Sequence, residues 1–507
     1  MRDLWHKPSK SVGFLVLAIS ALLVTLILGA GSVLVRDQHR AKDQHRASES
    51  LRSADPRVSA APVCTGIALT PASNVQAAIN NAPPGTTFCF GRGIYRVSSL
   101  IPQSRDVLDG GNRSAILDGG NSASFAIYGD LTSPGPSDVT VRGFVIQDFN
   151  TPLQRGAVQD YNGPGWIIQN NHITKNAAAG VGTGSNVRVL GNLIDHNGQE
   201  GFSAHGNGGL YQDNEIAYNN YSLKIDPGWE AGGGKAGNTR YLTFKSNYVH
   251  DNGGTGLWAD TDNIYTTVDD NKIINNTGAG IYDEASYDTT IINNTITGNG
   301  MPSSPGGGGH RPGWAWNAGI QLRRSGGLSA STPIIISGNI VADNYNGISL
   351  IESPRAGCTP TRGLPWYGPC KVQNVLVENN WITMTQGATG AWQDGEGNGI
   401  FTSQNNVFRD NHFCVVSAIP PIDGYTFGWF GWMNGWLDFS TWQITWLETA
   451  GTFTVGGSCR TLSELARRKG RAGPRGDRRH VNRDRQGRRG PQDGSFLHRR
   501  VDGAAPA

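Results

Sequence analysis

Two copies of one sequence pattern, 24 residues apart, carry aromatic and acidic residues at matching positions. Trp258 and Asp260 follow a Gly-Leu step in the first copy, and Tyr282 and Glu284 follow a Gly-Ile step in the second. Two carboxylates held side by side can act as nucleophile and acid/base on a glycosidic bond. Aromatic rings beside such a pair can stack on sugar rings. The four residues therefore predict a site for carbohydrate chemistry.

Neighbouring copies, aligned at the same Gly-apolar step, extend this site into two columns of residues. The second and fourth residues after each glycine should point outward, because side chains alternate along a strand. Ser222 is read in place of the glycine in one copy. The fourth positions are then His205, Asp226, Asp260, Glu284 and Arg323. The second positions are Ser203, Lys224, Trp258, Tyr282 and Gln321.

Stacked strands would bring equivalent residues of neighbouring copies to about 4.8 Å from each other. This spacing predicts Asp260 and Glu284 as a retaining catalytic pair, whereas Asp226 and Glu284 form the wider pair of an inverting enzyme. Repulsion between stacked carboxylates would raise one pKa, as an acid/base requires. An insertion at 226–239 adds residues from the same edge. The predicted substrate-binding residues are Trp258, Tyr282, Trp229, Lys224, Glu230, Lys235, Asp262, Asn263, Gln321, Arg323 and His205.

A repeat with a period in the low twenties must position these columns. An Asn followed two residues later by an apolar residue, with a second Asn five residues after the first, recurs seven times. The first Asn residues are Asn171, Asn192, Asn214, Asn247, Asn271, Asn294 and Asn339. Such a period with short β-strands predicts a solenoid. Asn at the corners tolerates left-handed backbone and can form hydrogen-bond ladders between coils.

These registered repeats resemble the right-handed parallel β-helix proteins of the pectin-lyase-like superfamily over residues 62–460. The resemblance implies an all-β solenoid, and we expect helical caps from Asn74–Ala82 and from 437–449. The chain lacks the GHG and RIK motifs of polygalacturonases, and its Asp-Pro-Gly-Trp stretch at 226–229 differs from the DPHD motif of alginate epimerases. No catalytic residue is therefore carried over from a family, and the substrate class follows from fold analogy.

Two other functions remain open beside a glycoside hydrolase acting on a polysaccharide or oligosaccharide. A polysaccharide lyase or epimerase would use Lys224, Lys235, Arg323 and His205, or Ca²⁺ held by the carboxylates, to act on uronic acids. A non-catalytic glycan-binding adhesin would need only the aromatic face. A hydrolase would use no cofactor and no metal. Because the basic residues concentrate after Arg467, the body is mildly acidic and predicts no nucleic-acid partner.

The ends of the chain predict a membrane-anchored, extracytoplasmic protein. Residues 13–35 form an uncharged apolar run of 23 residues, after a basic stretch at 1–12. This favours a single transmembrane helix with a cytoplasmic N-terminus, or else a signal peptide of a secreted protein. Residues 36–61 read as a linker and 461–507 as a basic disordered tail. We expect a monomer.

Six cysteines fit an oxidising compartment. Their proximity in sequence suggests the pairs Cys64–Cys89, Cys358–Cys370 and Cys414–Cys459, although six cysteines allow fifteen pairings.

Overall fold

Short parallel strands stack into three sheets, and the chain passes from one sheet to the next in every coil. The computed structural model describes residues 64–301, 315–355, 367–418, 429–433, 435–445, 448, 450–456 and 459. All elements given below lie in the unit Ile67–Ala507, while residues 64–66 belong to the unit Met1–Gly66.

Sheet A has 13 strands in the described part of the chain. They are Ile67–Leu69, Thr87–Phe90, Val107–Asp109, Thr140–Arg142, Ile167–Gln169, Arg188–Leu190, Leu210–Gln212, Thr243–Lys245, Thr267–Asp269, Thr290–Ile292, Ile334–Ser337, Val375–Glu378 and Val407–Arg409. Sheet B also has 13. They are Gly93–Arg96, Ala115–Asp118, Phe144–Gln147, His172–Thr174, Leu193–Asp195, Glu215–Ala217, Tyr248–His250, Lys272–Ile274, Thr295–Thr297, Ile340–Ala342, Trp381–Met384, His412–Val415 and Thr452–Val455.

Sheet C has 12 described strands and carries the predicted site. They are Ile127–Tyr128, Gly156–Asp160, Ala179–Thr183, Glu200–Asn207, Gly232–Arg240, Leu257–Asp260, Ile281–Glu284, Ala318–Arg323, Asn346–Glu352, Thr389–Gln393, Phe430–Trp432 and Gly435–Leu437. The last two pair antiparallel, and the other pairs in this sheet are parallel. The helices of the described residues are Val75–Asn81, Pro227–Glu230, Gly399–Thr402 and Phe439–Ile444.

The core lies between the three sheets and is filled by one apolar residue or more from every strand. In a coil such as 168–181, Ile168, Ile173 and Val181 are fully buried, one from each sheet. These residues alternate with outward-facing ones because the side-chain period of a strand is two. The repeat of Asn followed by an apolar residue therefore places the apolar side chain of each sheet B strand in the core, as the sequence predicted.

Two buried Asn ladders join the coils. The first runs through Asn171, Asn192, Asn214, Asn247, Asn271, Asn294, Asn339, Asn380 and Asn411. The second runs through Asn176, Asn197, Asn219, Asn252, Asn276, Asn299 and Asn344. In each step the backbone N–H and the side-chain amide of one Asn both donate to the Oδ1 of the next. The predicted corner ladders are confirmed.

The left-handed backbone at these corners belongs to the residue before each ladder Asn. Asn170, Asp270 and Asn275 have φ of 54°, 57° and 55°, directly before Asn171, Asn271 and Asn276. The preceding residue turns the chain, so the ladder Asn itself is free to place its amide inside. The sequence interpretation had assigned both roles to one Asn.

The two expected terminal helices are present, although their predicted capping role is untested. Val75–Asn81 has Asn74 as its N-cap and buries Val75 and Ile79. Phe439–Ile444 buries Trp442, whose ring packs against Phe408 at 5.2 Å. The predicted helix over 437–449 is thus shorter than expected.

Beyond this helix, Glu448 is fully buried and accepts from the backbone and side-chain amides of Asn411 at 2.8 and 3.0 Å. It takes the acceptor place that the next Asn fills elsewhere in the first ladder.

The cysteine prediction is confirmed for one pair, Cys414–Cys459. Cys64, Cys89 and Cys370 are also disulfide-bonded, while Cys358 lies outside the described residues. Segments 1–12, 13–35, 36–61 and 460–507 lie outside the described part as well. In the described part, no helix is long and apolar enough to span a bilayer. The anchor at 13–35 therefore stays a prediction.

Candidate functional site

One column on the outer face of sheet C runs through five neighbouring strands. Its register pairs Ser203 with Lys235, Lys235 with Trp258, Trp258 with Tyr282, and Tyr282 with Gln321. Four of the five predicted second positions are therefore correct. Lys235 occupies the place predicted for Lys224.

The misplaced coil has a steric cause. The strand of this coil is Gly232–Arg240, where the sequence interpretation expected an insertion. Its inward position next to the step glycine is Gly234, and a Cβ there would lie 2.3 Å from ring atoms of Phe202. The Phe202 ring fills the core space of two coils, so this strand has Gly234 where the others have an apolar residue directly after the step glycine. The sequence pattern predicts Ser222-Leu223 as the step of this coil, and this misplaces Lys224 and Asp226.

Asp226 lies outside the column, at the start of a short helix. Its side chain accepts from the Gly228 backbone N–H at 2.8 Å and N-caps the helix Pro227–Glu230. The predicted position of Asp226 in the fourth-position column is therefore wrong. Gly237 lies in that coil, where its carbonyl is 3.1 Å from Nδ1 of His205.

The fourth-position column brings the two predicted catalytic carboxylates side by side. Asp260 pairs with Glu284, and Glu284 pairs with Arg323, on adjacent parallel strands. All three side chains are on the outer face, as predicted. Asp260 is 8% exposed and Glu284 is 4% exposed, so the expected solvent-facing pair is in fact covered.

Three cations surround the pair. The Arg355 guanidinium contacts Asp260 through Nη2 and donates from Nε to Glu284 at 2.8 Å. Lys235 binds Asp260 at 2.8 Å, and Arg323 donates to Glu284 at 3.0 Å. These contacts offset the repulsion between the two stacked carboxylates.

Burial sets the acid strength of Glu284. Desolvation raises the pKa of this carboxyl above its ordinary value, and the Asp260 charge raises it further. Arg355 and Arg323 lower the pKa but do not cancel the rise. Burial lowers the pKa of Lys235, but Asp260 and Glu230 raise it more, so the net shift is upward. Burial thus makes the Glu284 carboxyl a weaker acid than a solvated glutamate.

The predicted aromatic residues are covered rather than exposed. Trp258 and Tyr282 are 5% and 8% exposed, and their rings stack at 5.1 Å with an angle of 20°. Trp316 packs against this pair, and the Lys235 ammonium lies 4.3 Å from the centre of the Trp258 ring. Trp258 also donates from Nε1 to the second oxygen of Glu284 at 3.2 Å. Trp258 thereby helps to fix the Glu284 carboxyl.

A cavity of about 470 Å³ opens over these rings. Its described lining consists of Asp226, Pro227, Gly228, Thr255, Trp258, Gly278, Ala279, Tyr282, Glu284, Trp316, Asn317, Gln321 and Arg323. Exposed Asp226 and Gly228 connect it to solvent. Two predicted catalytic residues, Glu284 and Asp226, line this cavity, whereas Asp260 is not part of the described lining.

Other predicted binding residues have structural partners. Asn263 is fully buried, accepts from Thr239 at 2.7 Å and donates to Ser286 at 3.1 Å, so its predicted substrate contact is wrong. Asp262 accepts from the Tyr367 backbone N–H at 2.9 Å.

Glu230 also has a structural partner, because it binds Lys235 at 3.0 Å. Trp229 is 48% exposed on the short helix that begins after Asp226, and Lys224 is exposed ahead of it. Neither Trp229 nor Lys224 is in the described lining of the cavity.

The site does not fit Ca²⁺. Both carboxylates of the pair are already ion-paired with three cationic side chains, and the two charges of a bound Ca²⁺ would add repulsion. In the described ranges, no group of three or more His, Cys, Asp or Glu residues is arranged to hold a metal ion.

Arg355, Trp316 and Asn317 are the site residues that sequence reasoning missed. Arg355 is separated from Asp260 by 95 positions and from Glu284 by 71. Trp316 and Asn317 follow a glycine-rich interruption of the repeat. All three precede or follow interruptions of the repeat, and this was the only signal that could have pointed to them.

The family model for right-handed β-helix regions matches this chain over residues 107–225 and 160–327. The strands in those ranges are the stacked parallel strands of sheets A, B and C. The chain folds as a right-handed parallel β-helix. The parallel β-helix expected from the sequence is confirmed, and the candidate site lies on the outer face of one of the β-helix's three sheets.

Solved β-helix structures are similar in fold. The mannuronan C-5 epimerase AlgE6 A-module of Azotobacter vinelandii is 17% identical, with 67% of this chain and 88% of that chain covered and a TM-score of 0.44. XylC in complex with xylose is 12% identical, with 75% and 82% covered and a TM-score of 0.45. PfbA, a surface adhesin of Streptococcus pneumoniae, is 11% identical, with 72% and 90% covered and a TM-score of 0.35. Such distant likenesses carry no inference about activity. No curated protein sequence matches the chain.

Proposed function

We propose that this β-helix protein is a carbohydrate-active enzyme, specifically a glycoside hydrolase, which binds a polysaccharide or oligosaccharide in the sheet C cavity. The observation that carries the proposal is the placement of Glu284. It is a buried carboxyl with a raised pKa that lines a cavity walled by Trp258, Tyr282 and Trp316. A general acid for glycosidic cleavage needs this raised pKa.

Two polar amide side chains in the lining support a saccharide as the occupant. Gln321 and Asn317 border the rings, and the Asn317 backbone N–H donates to the Gln321 Oε1 at 2.8 Å, which fixes the Gln321 amide. Flat aromatic surfaces fit the apolar faces of sugar rings, and amides can hydrogen-bond sugar hydroxyls. The cavity thus combines both kinds of contact around one acid.

In the proposed reaction, protonated Glu284 gives its proton to the glycosidic oxygen as the bond from that oxygen to the anomeric carbon breaks. Asp226 takes a proton from the water that attacks the anomeric carbon, and this yields the free sugar. We favour Asp226 as the base because it lines the same cavity and is exposed to solvent. This is the inverting arrangement, which needs room for water between the carboxylates. Asp260 then acts as a positioning residue that holds Arg355 and Lys235.

The ion pairs favour hydrolysis over uronate lyase or epimerase chemistry. A lyase needs a cation to neutralise the substrate carboxylate and a base to remove a carbon-bound proton. Lys235, Arg323 and Arg355 each already bind a carboxylate of the protein. The raised pKa of Glu284 suits proton donation better than proton abstraction.

We also propose that the β-helix domain works outside the cytoplasm, anchored by residues 13–35. The Cys414–Cys459 disulfide supports an oxidising compartment.

The decisive experiment measures sugar release from neutral polysaccharides and from alginate and polygalacturonate by wild type and Glu284→Gln. We expect new reducing ends from a neutral glycan, a loss of at least about 10²-fold in kcat for the variant, and retained binding. Glu378→Gln is the matched control, since Glu378 is ion-paired to Arg409 on sheet A, away from sheet C.

Three results would replace the hydrolase assignment. Unsaturated uronate products would indicate a lyase, and a changed uronate composition without cleavage would indicate an epimerase. Binding with no turnover on any glycan would indicate an adhesin. Full activity in Glu284→Gln would remove Glu284 from the mechanism.

A further inference from the structure

Five aromatic side chains form a continuous chain of ring contacts on sheet B and the turns that follow its strands, outside the cavity. In order they are Tyr221, His196, Tyr218, His250 and Tyr248, and this set is called the ring chain below. The His196 ring lies 5.7 Å from Tyr221 and stacks on Tyr218 at 5.1 Å. Tyr218 meets His250 edge-on at 5.5 Å, and His250 stacks on Tyr248 at 3.9 Å. Unlike the cavity aromatics, several of these rings face solvent.

Exposure is greatest at one end of the ring chain. Tyr221 is 60% exposed and Tyr218 is 36% exposed, while His250, next to the other end, is only 6% exposed. The buried His250 ring contacts the partly exposed Tyr218 ring, and His196 links Tyr218 to the more exposed Tyr221. The exposed rings are therefore held in place and remain open to solvent. Aromatic rings held in this way are preorganised to stack on a flat ligand.

Carboxylates hold the histidines in position. His196 lies 3.4 Å from Asp195, and His250 lies 2.7 Å from Asp251 and 3.4 Å from Glu215. Carboxylate oxygens at such a surface are acceptors for ligand hydroxyls.

The charge of this surface argues against a nucleic acid. Three carboxylates border the ring chain, and among the described residues one lysine, Lys272, lies over a ring of it, that of Tyr248 at 4.6 Å. A phosphate backbone needs a surplus of Lys and Arg. An uncharged ligand rich in hydroxyls fits both the ring faces and the acceptors.

A short stretch of the polypeptide connects the ring chain to the cavity. Tyr221 is five residues before Asp226, which lines the cavity. Five residues span at most about 18 Å even when fully extended. A polymer in the cavity is therefore within reach of the exposed end of the ring chain.

We propose that the ring chain is a second saccharide-binding surface that holds an uncharged polysaccharide, part of which occupies the cavity. The proposal rests on the proposed function for its choice of a glycan as ligand. Binding at the ring chain needs no catalysis, so its success or failure is separate from that of the hydrolase assignment.

The test uses the full-length protein carrying Glu284→Gln, so that bound glycan is not cleaved. Its affinity for immobilised xylan, β-glucan and galactomannan is compared with that of the same protein carrying Tyr218→Ala and Tyr221→Ala. We expect about tenfold weaker binding to at least one of these neutral polymers when both rings are removed. Tyr241→Ala with Tyr265→Ala is the matched control, since those exposed tyrosines stack on each other at 4.9 Å on another corner.

In the catalytically active background, the ring-chain variant should lose more activity on polymer than on a short oligosaccharide. Equal affinity of the ring-chain variant and the parent, or an equal loss in the control variant, would overturn the proposal. So would the absence of binding to all three polymers, or stronger binding to alginate than to any of them. Reduced polymer binding in a protein whose wild type cleaves no glycan would uphold the ring chain and reject the hydrolase.

Discussion

Asp260 and Glu284 lie in register on adjacent parallel strands and share one guanidinium, that of Arg355. The guanidinium offsets the repulsion of the two stacked carboxylates. The Asp260 and Glu284 carboxylates nevertheless lie in different environments. Glu284 borders the cavity, while Asp260 is tied to Lys235 and Arg355 outside the described lining. This asymmetry assigns different roles to two residues that the repeat makes equivalent.

Replacement of Arg355 should move the pH dependence of activity. Arg355 lowers the pKa of Glu284, so Arg355→Ala should raise that pKa further. A general acid works only when protonated, and activity falls as the pH rises through its pKa. The alkaline limb of the pH profile of kcat should therefore shift to higher pH in Arg355→Ala. Arg355→Lys keeps the charge and should shift the limb less.

A simple loss of folding would lower activity at every pH without moving this limb. An unchanged limb in Arg355→Ala, together with a wild-type unfolding transition, would show that Arg355 does not set the acid strength of Glu284.

Asp226 and Asp260 should respond differently to the same substitution. Asp226→Asn removes the proposed base from an exposed position and should lower kcat by about 10²-fold or more with little change in stability. Asp260→Asn removes the buried negative charge that pairs with Lys235 and Arg355, and it should cost about 3 kcal/mol of unfolding free energy. Because the Asp260 charge raises the pKa of Glu284, its loss should move the alkaline limb to lower pH.

Urea unfolding and kcat across a pH series measure both effects. A larger loss of kcat in Asp260→Asn than in Asp226→Asn at the optimum pH of each would return the catalytic role to the retaining pair Asp260 and Glu284.

The scaffold was readable from sequence because each coil repeats one short-range rule. An Asn such as Asn271 requires only an Asn partner one coil away and an apolar residue two positions later. Both requirements recur in every coil, so they appear in the sequence as a regular spacing. This sequence pattern is lost where one side chain fills the core space of two coils. Phe202 fills the space above Gly234, so the strand Gly232–Arg240 lost the apolar mark that the register depends on.

Only part of the candidate site could be predicted from the sequence, for a related reason. Trp258 and Glu284 were found because they stand out against the repeat. Arg355 and Trp316 come from interruptions of the repeat, where no period predicts which coil a side chain will reach. Their distance in sequence from the residues they contact is set by tertiary packing alone.

The second Asn ladder should be sensitive to single substitutions. Asn276 is fully buried, and its Oδ1 accepts from both amides of Asn252 at 3.2 and 2.9 Å. Asn276→Ala leaves those donors unpaired and should cost about 3 kcal/mol of unfolding free energy in urea titrations. Asn275→Gly is the neighbouring control, because Asn275 is exposed with φ of 55° and glycine adopts that conformation readily. Comparable losses in both variants would show that the ladder contributes no more than the turn.

Glu448 should make stability depend on pH at the end of the first ladder. Burial raises its pKa from 4.5 to about 7 in the folded protein, despite the two hydrogen bonds from Asn411. The folded state therefore holds this proton more tightly than the unfolded state. The stabilisation is fully present below about pH 4.5 and is lost as the pH rises through about 7, by up to about 3 kcal/mol.

Glu448→Gln removes this titration and keeps an amide oxygen for both Asn411 donors, as each ladder Asn does for its neighbour. The measurement is the urea unfolding free energy of wild type and Glu448→Gln at pH 5 and pH 8, with Glu378→Gln as the control glutamate on sheet A. Between the two pH values, wild type and the control should lose more unfolding free energy than Glu448→Gln. An equal loss in all three proteins would mean that the buried Glu448 carboxyl does not titrate in this range, and that the end of the ladder is held by the charged form.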